Sequence, residues 1–140
     1  MHIPSIKKRE IILVDDNPID LQICKMVFKK TQPDVEFKIF ENGFSAMQWF
    51  AENESTLKQD GNYTLMLDLN MPVMDGWSFL NYFEKLEHDL KQKVNIYILT
   101  SSIDPVDINR SKQFPSVKQF YSKPLSNKII KSILEADSSN

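Results

Sequence analysis

Residues 10–18 read EIILVDDNP, and the order of features in this stretch decides the fold class. Glu10 to Val14 are predicted to form a strand, and its apolar run from Ile11 to Val14 suits burial on both faces. Asp15 and Asp16 follow where that strand ends. Asn17-Pro18 then predicts the start of a helix, with asparagine as the N-cap and proline tolerated in the first turn. A buried strand, an acidic turn and a helix in this order indicate a βα unit of a parallel sheet.

The alternation of strands and helices continues along the chain and indicates an α/β fold built on a doubly wound parallel sheet. Residues 35–39 alternate apolar with charged side chains, which predicts an edge strand that is wet on one face. Apolar residues at helical spacing predict five helices, and the polar stretch 52–62 is interpreted as a solvated loop. The remaining strands are predicted at 63–67, 94–99 and 117–121.

Length and charge exclude several classes of protein. The chain has 140 residues, about the length of one domain. Its 17 Lys and Arg against 19 Asp and Glu give a net charge of −2, a field too weak to attract DNA or an anionic membrane by itself. The single cysteine, Cys24, permits no internal disulfide, and no apolar run approaches the roughly 20 residues of a membrane helix. We therefore expect a cytoplasmic domain that contacts neither nucleic acid nor membrane directly.

Polar side chains follow four of the predicted strands at their carboxyl ends. Strand one ends in Asp15-Asp16, strand three in Asp68, strand four in Thr100-Ser101 and strand five in Lys123. In doubly wound sheets, ligands bind beyond these ends, at the point where the strand order reverses. We therefore expect these residues to lie in one site.

The chemistry of that site follows from its carboxylates. Three carboxylates in one crevice repel each other and need a compensating cation, and a cluster of oxygen ligands favours Mg²⁺ or Mn²⁺ over zinc. Asp68 is the candidate nucleophile, because a carboxylate can attack phosphorus and carry a covalent phosphoryl group. The adjacent pair Asp15-Asp16 is better placed to hold the metal, the backbone carbonyl of Asn70 offers a further ligand, and Lys123 would offset charge on the transferring group.

Taken together, the motifs resemble the receiver domain of response regulators in two-component signalling. They are, in chain order, Asp15-Asp16, the run Leu67-Asp68-Leu69-Asn70-Met71-Pro72 with Asp75-Gly76 after it, Thr100-Ser101, and Lys123-Pro124. The resemblance implies a flavodoxin-like (CheY-like) topology with five helices and strand order 2-1-3-4-5. It also implies a receiver domain at 10–136, with tails at 1–9 and 137–140.

The resemblance also assigns roles to residues of this chain. Asp68 would be the phosphoacceptor, and the Mg²⁺ ligands would be Asp15, Asp16, Asp68 and the backbone carbonyl of Asn70. The phosphate-binding and switch residues would be Lys123, Thr100, Ser101 and Phe120. A histidine kinase or a histidine phosphotransfer protein would donate the phosphoryl group. The output would be a changed surface for a downstream effector protein, or a phosphorylation-dependent homodimer, so the chain is expected to be a signalling phosphoacceptor and not a turnover enzyme.

Two features depart from the family pattern. The family often has a Gly-Ala pair before the fifth strand, whereas this chain has Gln113-Phe114-Pro115-Ser116, so the connection from the fourth helix is expected to be remodelled. The stretches 52–62 and 87–93 look like insertions that leave the site motifs untouched.

Alternative functions remain open on the sequence. A phosphatase of the haloacid-dehalogenase type also uses an aspartate nucleophile with Mg²⁺, but it needs an acid two positions later, where this chain has Asn70. A receiver-like interaction module that never takes phosphate is the other alternative. Taken singly, Asp68 also suits a loop cap, and Thr100-Ser101-Ser102 suits a helix cap. The sequence does not decide between a stand-alone receiver and a piece of a longer regulator.

Overall fold

The computed structural model describes residues 10–60, 62–71 and 73–138. Five strands form one sheet in the order β2-β1-β3-β4-β5, and every neighbouring pair is parallel. They are β1 (Glu10–Val14), β2 (Glu36–Phe40), β3 (Tyr63–Leu67), β4 (Val94–Thr100) and β5 (Val117–Ser122). The predicted sheet, its strand order and its edge strand are confirmed. The predicted tail at 1–9 lies outside the described residues, as do positions 139 and 140 of the predicted tail 137–140. Positions 137 and 138 of that tail belong instead to the last helix, because it continues to Ser138.

Seven helices are present in the described residues, whereas five were predicted. They are α1 (Pro18–Thr31), α2 (Gly43–Glu52), α3 (Glu54–Asp60), α4 (Gly76–Phe83), α5 (His88–Lys91), α6 (Pro105–Ser111) and α7 (Asn127–Ser138). No helix in this part of the chain combines the length and the apolar character needed to cross a membrane.

The two additional helices correct the interpretation of 52–62 as a solvated loop and place a short helix within 87–93. Helix α3 forms because Leu57, only 2% exposed, packs into the core from an otherwise polar stretch. Helix α5 buries Leu90 completely. An ion pair between Lys58 and Glu87 joins the two segments. Each helix has one buried leucine, so neither shows the repeated apolar spacing that predicts a helix.

The sheet has a hydrophobic core on each face because side chains of a strand alternate between its faces. Ile12 and Val14 of β1 point into the core that also contains residues of α2, α3, α4 and α5. Ile11 and Leu13 point into the opposite core, which contains residues of α1 and α7. The central strands are therefore buried on both faces, which explains why they appear in the sequence as uninterrupted apolar runs.

Side-chain caps fix where several helices begin. Asn17 Oδ1 accepts hydrogen bonds from the backbone amides of Ile19 and Asp20, at 2.9 and 3.2 Å. Ser126 Oγ accepts one from the amide of Ile129 at 3.3 Å. The cap at Asn17 was predicted from the sequence. Asn42 is the N-cap of α2, because its Oδ1 accepts a hydrogen bond of 2.8 Å from the backbone amide of Ser45.

The connection from α6 to β5 is held against α4. The ring of Phe114 lies 5.9 Å from that of Trp77, and the guanidinium of Arg110 lies 4.4 Å from the centre of the same indole. The backbone amide of Ser116 donates a hydrogen bond of 3.1 Å to Glu84 Oε1. The segment that departs from the family pattern is thus packed on the neighbouring helix.

Val73, in the loop between β3 and α4, has a φ of 72°. A β-branched residue is strained at positive φ, whereas asparagine tolerates this region. The side chain is 84% exposed, so its removal loses little packing. We expect Val73→Asn to raise the free energy of unfolding in urea by about 1 kcal/mol. Val106→Asn, at an exposed valine of α6, should give no such gain, and equal stability of Val73→Asn and the wild type would contradict the strain.

Candidate functional site

The acidic residues meet because β1 and β3 are neighbours in the sheet. The backbone amide of Asp68 donates a 2.9 Å hydrogen bond to the carbonyl of Val14, directly before Asp15. One carboxylate oxygen from each of Asp15, Asp16 and Asp68 lies within 4.8 Å of the others. Asp15 and Asp68 are buried, whereas Asp16 is exposed. The predicted convergence of these three side chains is present in the structure.

Lys123 reaches the same cluster from the end of β5. Its backbone amide donates a 2.7 Å hydrogen bond to the carbonyl of Thr100, which ties the ends of β4 and β5 together. Its Nζ lies 2.9 Å from Asp15 Oδ2, 2.7 Å from Asp20 Oδ2 and 3.8 Å from Asp68 Oδ2. The Lys123–Pro124 peptide bond is cis. Because of its contacts with these three carboxylates, the ammonium group of Lys123 neutralises part of their charge.

Burial of the site shifts the pKa values of its charged groups. Burial, and next the charge of Asp15, raise the pKa of Asp68 to about 6, although Lys123 and the amide of Asn70 oppose the shift. Burial by itself lowers the pKa of Lys123, but hydrogen bonds to Asp20 and Asp15 and the carboxylate charges raise it above its ordinary value. At neutral pH the site therefore contains an ionised lysine and a largely ionised Asp68.

The donor set fits a hard divalent cation. Three carboxylates lie within reach of one another, and one ammonium group cannot neutralise them all. Cys24 lines a small cavity together with Asp15 and Asp68, but burial, and next the charge of Asp15, raise the pKa of its thiol to about 12. Because the thiol stays protonated, the ligands available at neutral pH are oxygen atoms, which suit Mg²⁺ or Mn²⁺.

The other predicted residues lie around this cluster. The backbone amide of Asn70 lies 3.4 Å from Asp68 Oδ1. Thr100 is buried at the end of β4, and Ser101 follows it at the surface. Phe120 is half-buried on β5 opposite Ile98 and packs against the core that contains α4. The phosphate-binding and switch roles of Thr100, Ser101 and Phe120 stay predictions.

Asp20 is the residue of the site that sequence reasoning missed. It lies in the first turn of α1 and makes the shortest contact to Lys123, at 2.7 Å. The available signal was an acid five positions after Asp15, at the start of the helix that follows the acidic strand end. The helix dipole alone explains an acid there, so its spacing indicated no contact with Lys123.

A doubly wound α/β sheet with an acidic cluster at the ends of β1 and β3, and a lysine at the end of β5, matches the class of signalling receiver domains that the sequence resembles. Residues 11–135 match the family described as response regulator receiver domain. The chain belongs to this family and is a receiver domain of two-component signalling.

Relatives extend this assignment. Response regulator Rcp1 of Synechocystis sp. is 31% identical over 105 residues, which make up 70% of this chain and 65% of that protein. Hybrid signal transduction histidine kinase M of Dictyostelium discoideum is 30% identical over 127 residues, which make up 89% of this chain and 5% of that kinase. The alignments thus span less than two thirds of either relative.

Solved structures share the fold. A two component response regulator from Cytophaga hutchinsonii has a TM-score of 0.83 at 23% identity, with 96% of this chain and 99% of that chain covered. The Mn(2+)-bound form of response regulator Rcp1 has a TM-score of 0.67 at 26% identity, with 93% of this chain and 91% of that chain covered.

Proposed function

We propose that this receiver accepts a phosphoryl group on Asp68 from a histidine kinase or a histidine phosphotransfer protein, in a Mg²⁺-dependent step. The observation that carries the proposal is the place of Asp68. Its carboxylate is buried within 4.8 Å of the oxygen atoms of two other carboxylates and 3.8 Å from the ammonium of Lys123. A carboxylate that lies close both to a group of possible cation ligands and to an ammonium suits a phosphoryl acceptor.

In the transfer, an oxygen of the Asp68 carboxylate attacks phosphorus. The P–N bond to the histidine of the donor breaks, and its electron pair stays on the imidazole, which takes up a proton. Asp68 must be ionised to attack, and with a pKa of about 6 it is mostly ionised at neutral pH. Lys123 then offers its ammonium to an oxygen of the transferring group, and the hydroxyl of Thr100 offers a further hydrogen bond.

The cation of the site would be held by Asp15, Asp16, Asp68 and the backbone carbonyl of Asn70. A divalent cation there would supply neutralisation of the charge on the transferring phosphoryl oxygens. The oxygen-only ligands and the excess of negative charge support this. The solved Mn(2+)-bound form of a relative, Rcp1, also supports it.

The output of the receiver is a change of surface. Phosphorylation adds about −1.5 to −2 charges at Asp68, and such a group can act only by favouring one of two conformations that the domain already visits. Thr100, Ser101 and Phe120 on β4 and β5 are the residues through which that change would reach a downstream effector or a second copy of the chain. The hybrid histidine kinase among the relatives supports a kinase as the phosphodonor.

The haloacid-dehalogenase alternative is weaker in this geometry. Such a phosphatase needs a general acid two positions after its nucleophile, and Asn70 cannot donate and recover a proton at neutral pH. Asn70 contacts Asp68 through its backbone amide, which lies 3.4 Å from Asp68 Oδ1. The site thus has an acceptor for the phosphoryl group and lacks this acid for rapid turnover.

Intact-mass measurement after incubation with acetyl phosphate tests the proposal. With Mg²⁺, the wild-type chain should gain the mass of one phosphoryl group, and the adduct should decay by itself. Asp68→Asn should gain none, because an amide oxygen does not attack phosphorus in this way. Asp34 is an exposed acid that lies just before β2, at the amino ends of the strands and away from the site, so Asp34→Asn should behave as wild type.

Three results would contradict the proposal. An adduct on Asp68→Asn would place the phosphoryl group elsewhere. Steady release of inorganic phosphate without an adduct would favour the phosphatase, and an unmodified wild-type chain would favour the inert interaction module.

A further inference from the structure

Lys123 has three carboxylates around its ammonium group, and the nearest belongs to Asp20. The distances from Nζ are 2.7 Å to Asp20, 2.9 Å to Asp15 and 3.8 Å to Asp68. An ammonium has three N–H donors, and Asp15 and Asp20 accept two of them at bonding distance. Asp68 lies outside that distance. The lysine is therefore held by Asp15 and Asp20, and not by the proposed phosphoacceptor.

The start of α1 holds Asp20 in place. Asn17 Oδ1 accepts a hydrogen bond of 3.2 Å from the backbone amide of Asp20, and a carboxylate in the first turn is favoured by the helix dipole. The side chain of Asp20 is 26% exposed, compared with 9% for Asp15 and 7% for Asp68. The backbone of Asp20 is thus fixed at the helix start, and its carboxylate lies nearer the rim of the site than those of Asp15 and Asp68.

The position of Lys123 matters for metal binding, because the lysine and a divalent cation would draw on the same two carboxylates, those of Asp15 and Asp68. Asp15 and Asp68 belong to the acidic cluster with Asp16, whereas Asp20 is not one of its members. The ammonium already contacts Asp15, and if it moved further onto Asp15 and Asp68 it would occupy more of their lone pairs and repel a cation at close range. A separate carboxylate that draws the ammonium to the rim reduces this competition.

We propose that Asp20 is a positioning residue that shares the ammonium of Lys123 with Asp15, and so leaves Asp68 and the remaining lone pairs of Asp15 free to bind a divalent cation. This inference rests on the proposed function, which requires the cation at that cluster. Asp20 acts through Lys123 and is not itself a ligand of the cation.

Calorimetric titration with Mn²⁺ tests the inference. Asp20→Asn is expected to bind Mn²⁺ about tenfold more weakly than wild type, because Lys123 loses its rim partner and moves onto the cluster. Asp20→Glu keeps the carboxylate and should stay within about threefold of wild type. Asp34→Asn makes the same change in net charge at the amino ends of the strands, away from the site, and should bind Mn²⁺ as wild type does. Circular dichroism and thermal melts confirm that each variant is folded at the temperature of titration.

A second pair of variants separates an action through Lys123 from a direct attraction between Asp20 and the cation. Lys123→Met should bind Mn²⁺ more tightly than wild type, because the competing ammonium is gone. Adding Asp20→Asn to Lys123→Met should then weaken binding by no more than about threefold. An equal or greater loss in the methionine background would overturn the inference, as would unchanged binding by Asp20→Asn alone. A wild-type chain that binds no Mn²⁺ would overturn the proposed function as well, so the two failures are distinguishable.

Discussion

Asp68→Asn should be more stable than the wild-type chain in metal-free buffer at pH 8, although it removes the proposed functional residue. Burial, and next the charge of Asp15, raise the pKa of Asp68 to about 6, so the ionised carboxylate is disfavoured in the folded state. A shift of this size corresponds to about 2 to 3 kcal/mol. Asparagine carries no charge and escapes this penalty.

The pH dependence of the effect follows from the direction of the shift. Near pH 3, below the pKa of an unfolded aspartate, Asp68 is protonated in both states and costs the fold nothing. Between that value and about 6, the unfolded chain ionises while the folded chain keeps its proton, so stability falls as pH rises. Above about 6 both states are ionised and the full penalty remains. The advantage of Asp68→Asn should therefore be largest at pH 8 and vanish near pH 3.

Urea denaturation in EDTA at several pH values measures this difference. Asp34→Asn, at an exposed acid away from the site, should stay within about 0.5 kcal/mol of wild type. Added Mg²⁺ should stabilise the wild-type chain more than Asp68→Asn, because a ligand that binds only the folded state stabilises it by mass action. A variant that is less stable than wild type at pH 8 would show that the contacts of Asp68 outweigh its burial.

Much of the fold could be predicted because of where the strands lie. Strands β1, β3 and β4 occupy the middle of the sheet and are buried on both faces, so each is an apolar run followed by a polar residue. Caps at Asn17 and Ser126 are local features, since their hydrogen bonds span two or three residues. Local signals of this kind can be detected without tertiary contacts.

Helices α3 and α5 could not be predicted because their stability comes from distant contacts. Leu57 is the one fully buried apolar side chain of α3, and Leu90 has the same role in α5. The ion pair of Lys58 with Glu87 joins residues 29 positions apart. Such contacts follow from packing, which composition and periodicity do not contain.

The same distinction applies to the site. The proximity of Asp15, Asp68 and Lys123 could be predicted because the carboxyl ends of parallel strands lie at the same end of the sheet. Asp20 could not, because its partner is 103 positions later and the first turn of a helix leaves open what a side chain contacts. Strand ends are thus a stronger guide to this site than helix starts.

Gly76→Ala should destabilise the fold by about 3 kcal/mol. A Cβ at this position would lie 2.7 Å from the carbonyl oxygen of Asp68 and 2.9 Å from the Cα of Leu69. Both are backbone atoms. The backbone amide of Gly76 also donates a 3.0 Å hydrogen bond to the carbonyl of Leu69, so the two backbone segments cannot move apart freely. Alanine is the better helix former by about 1 kcal/mol, which is too little to offset the overlap.

The clash should also reduce phosphoryl uptake, because it displaces the residue that is proposed to accept the group. The rate of adduct formation from acetyl phosphate should fall by about tenfold or more in Gly76→Ala, since small displacements of a reacting atom carry large kinetic costs. Gly43→Ala is the matched control, because its Cβ would lie 2.8 Å from the carbonyl oxygen of Met74 and does not press on Asp68. It should lose stability while keeping more of its uptake rate. Equal loss of uptake in the two variants would mean that the rate follows stability alone, and that the packing of Gly76 against Asp68 has no separate part in the reaction.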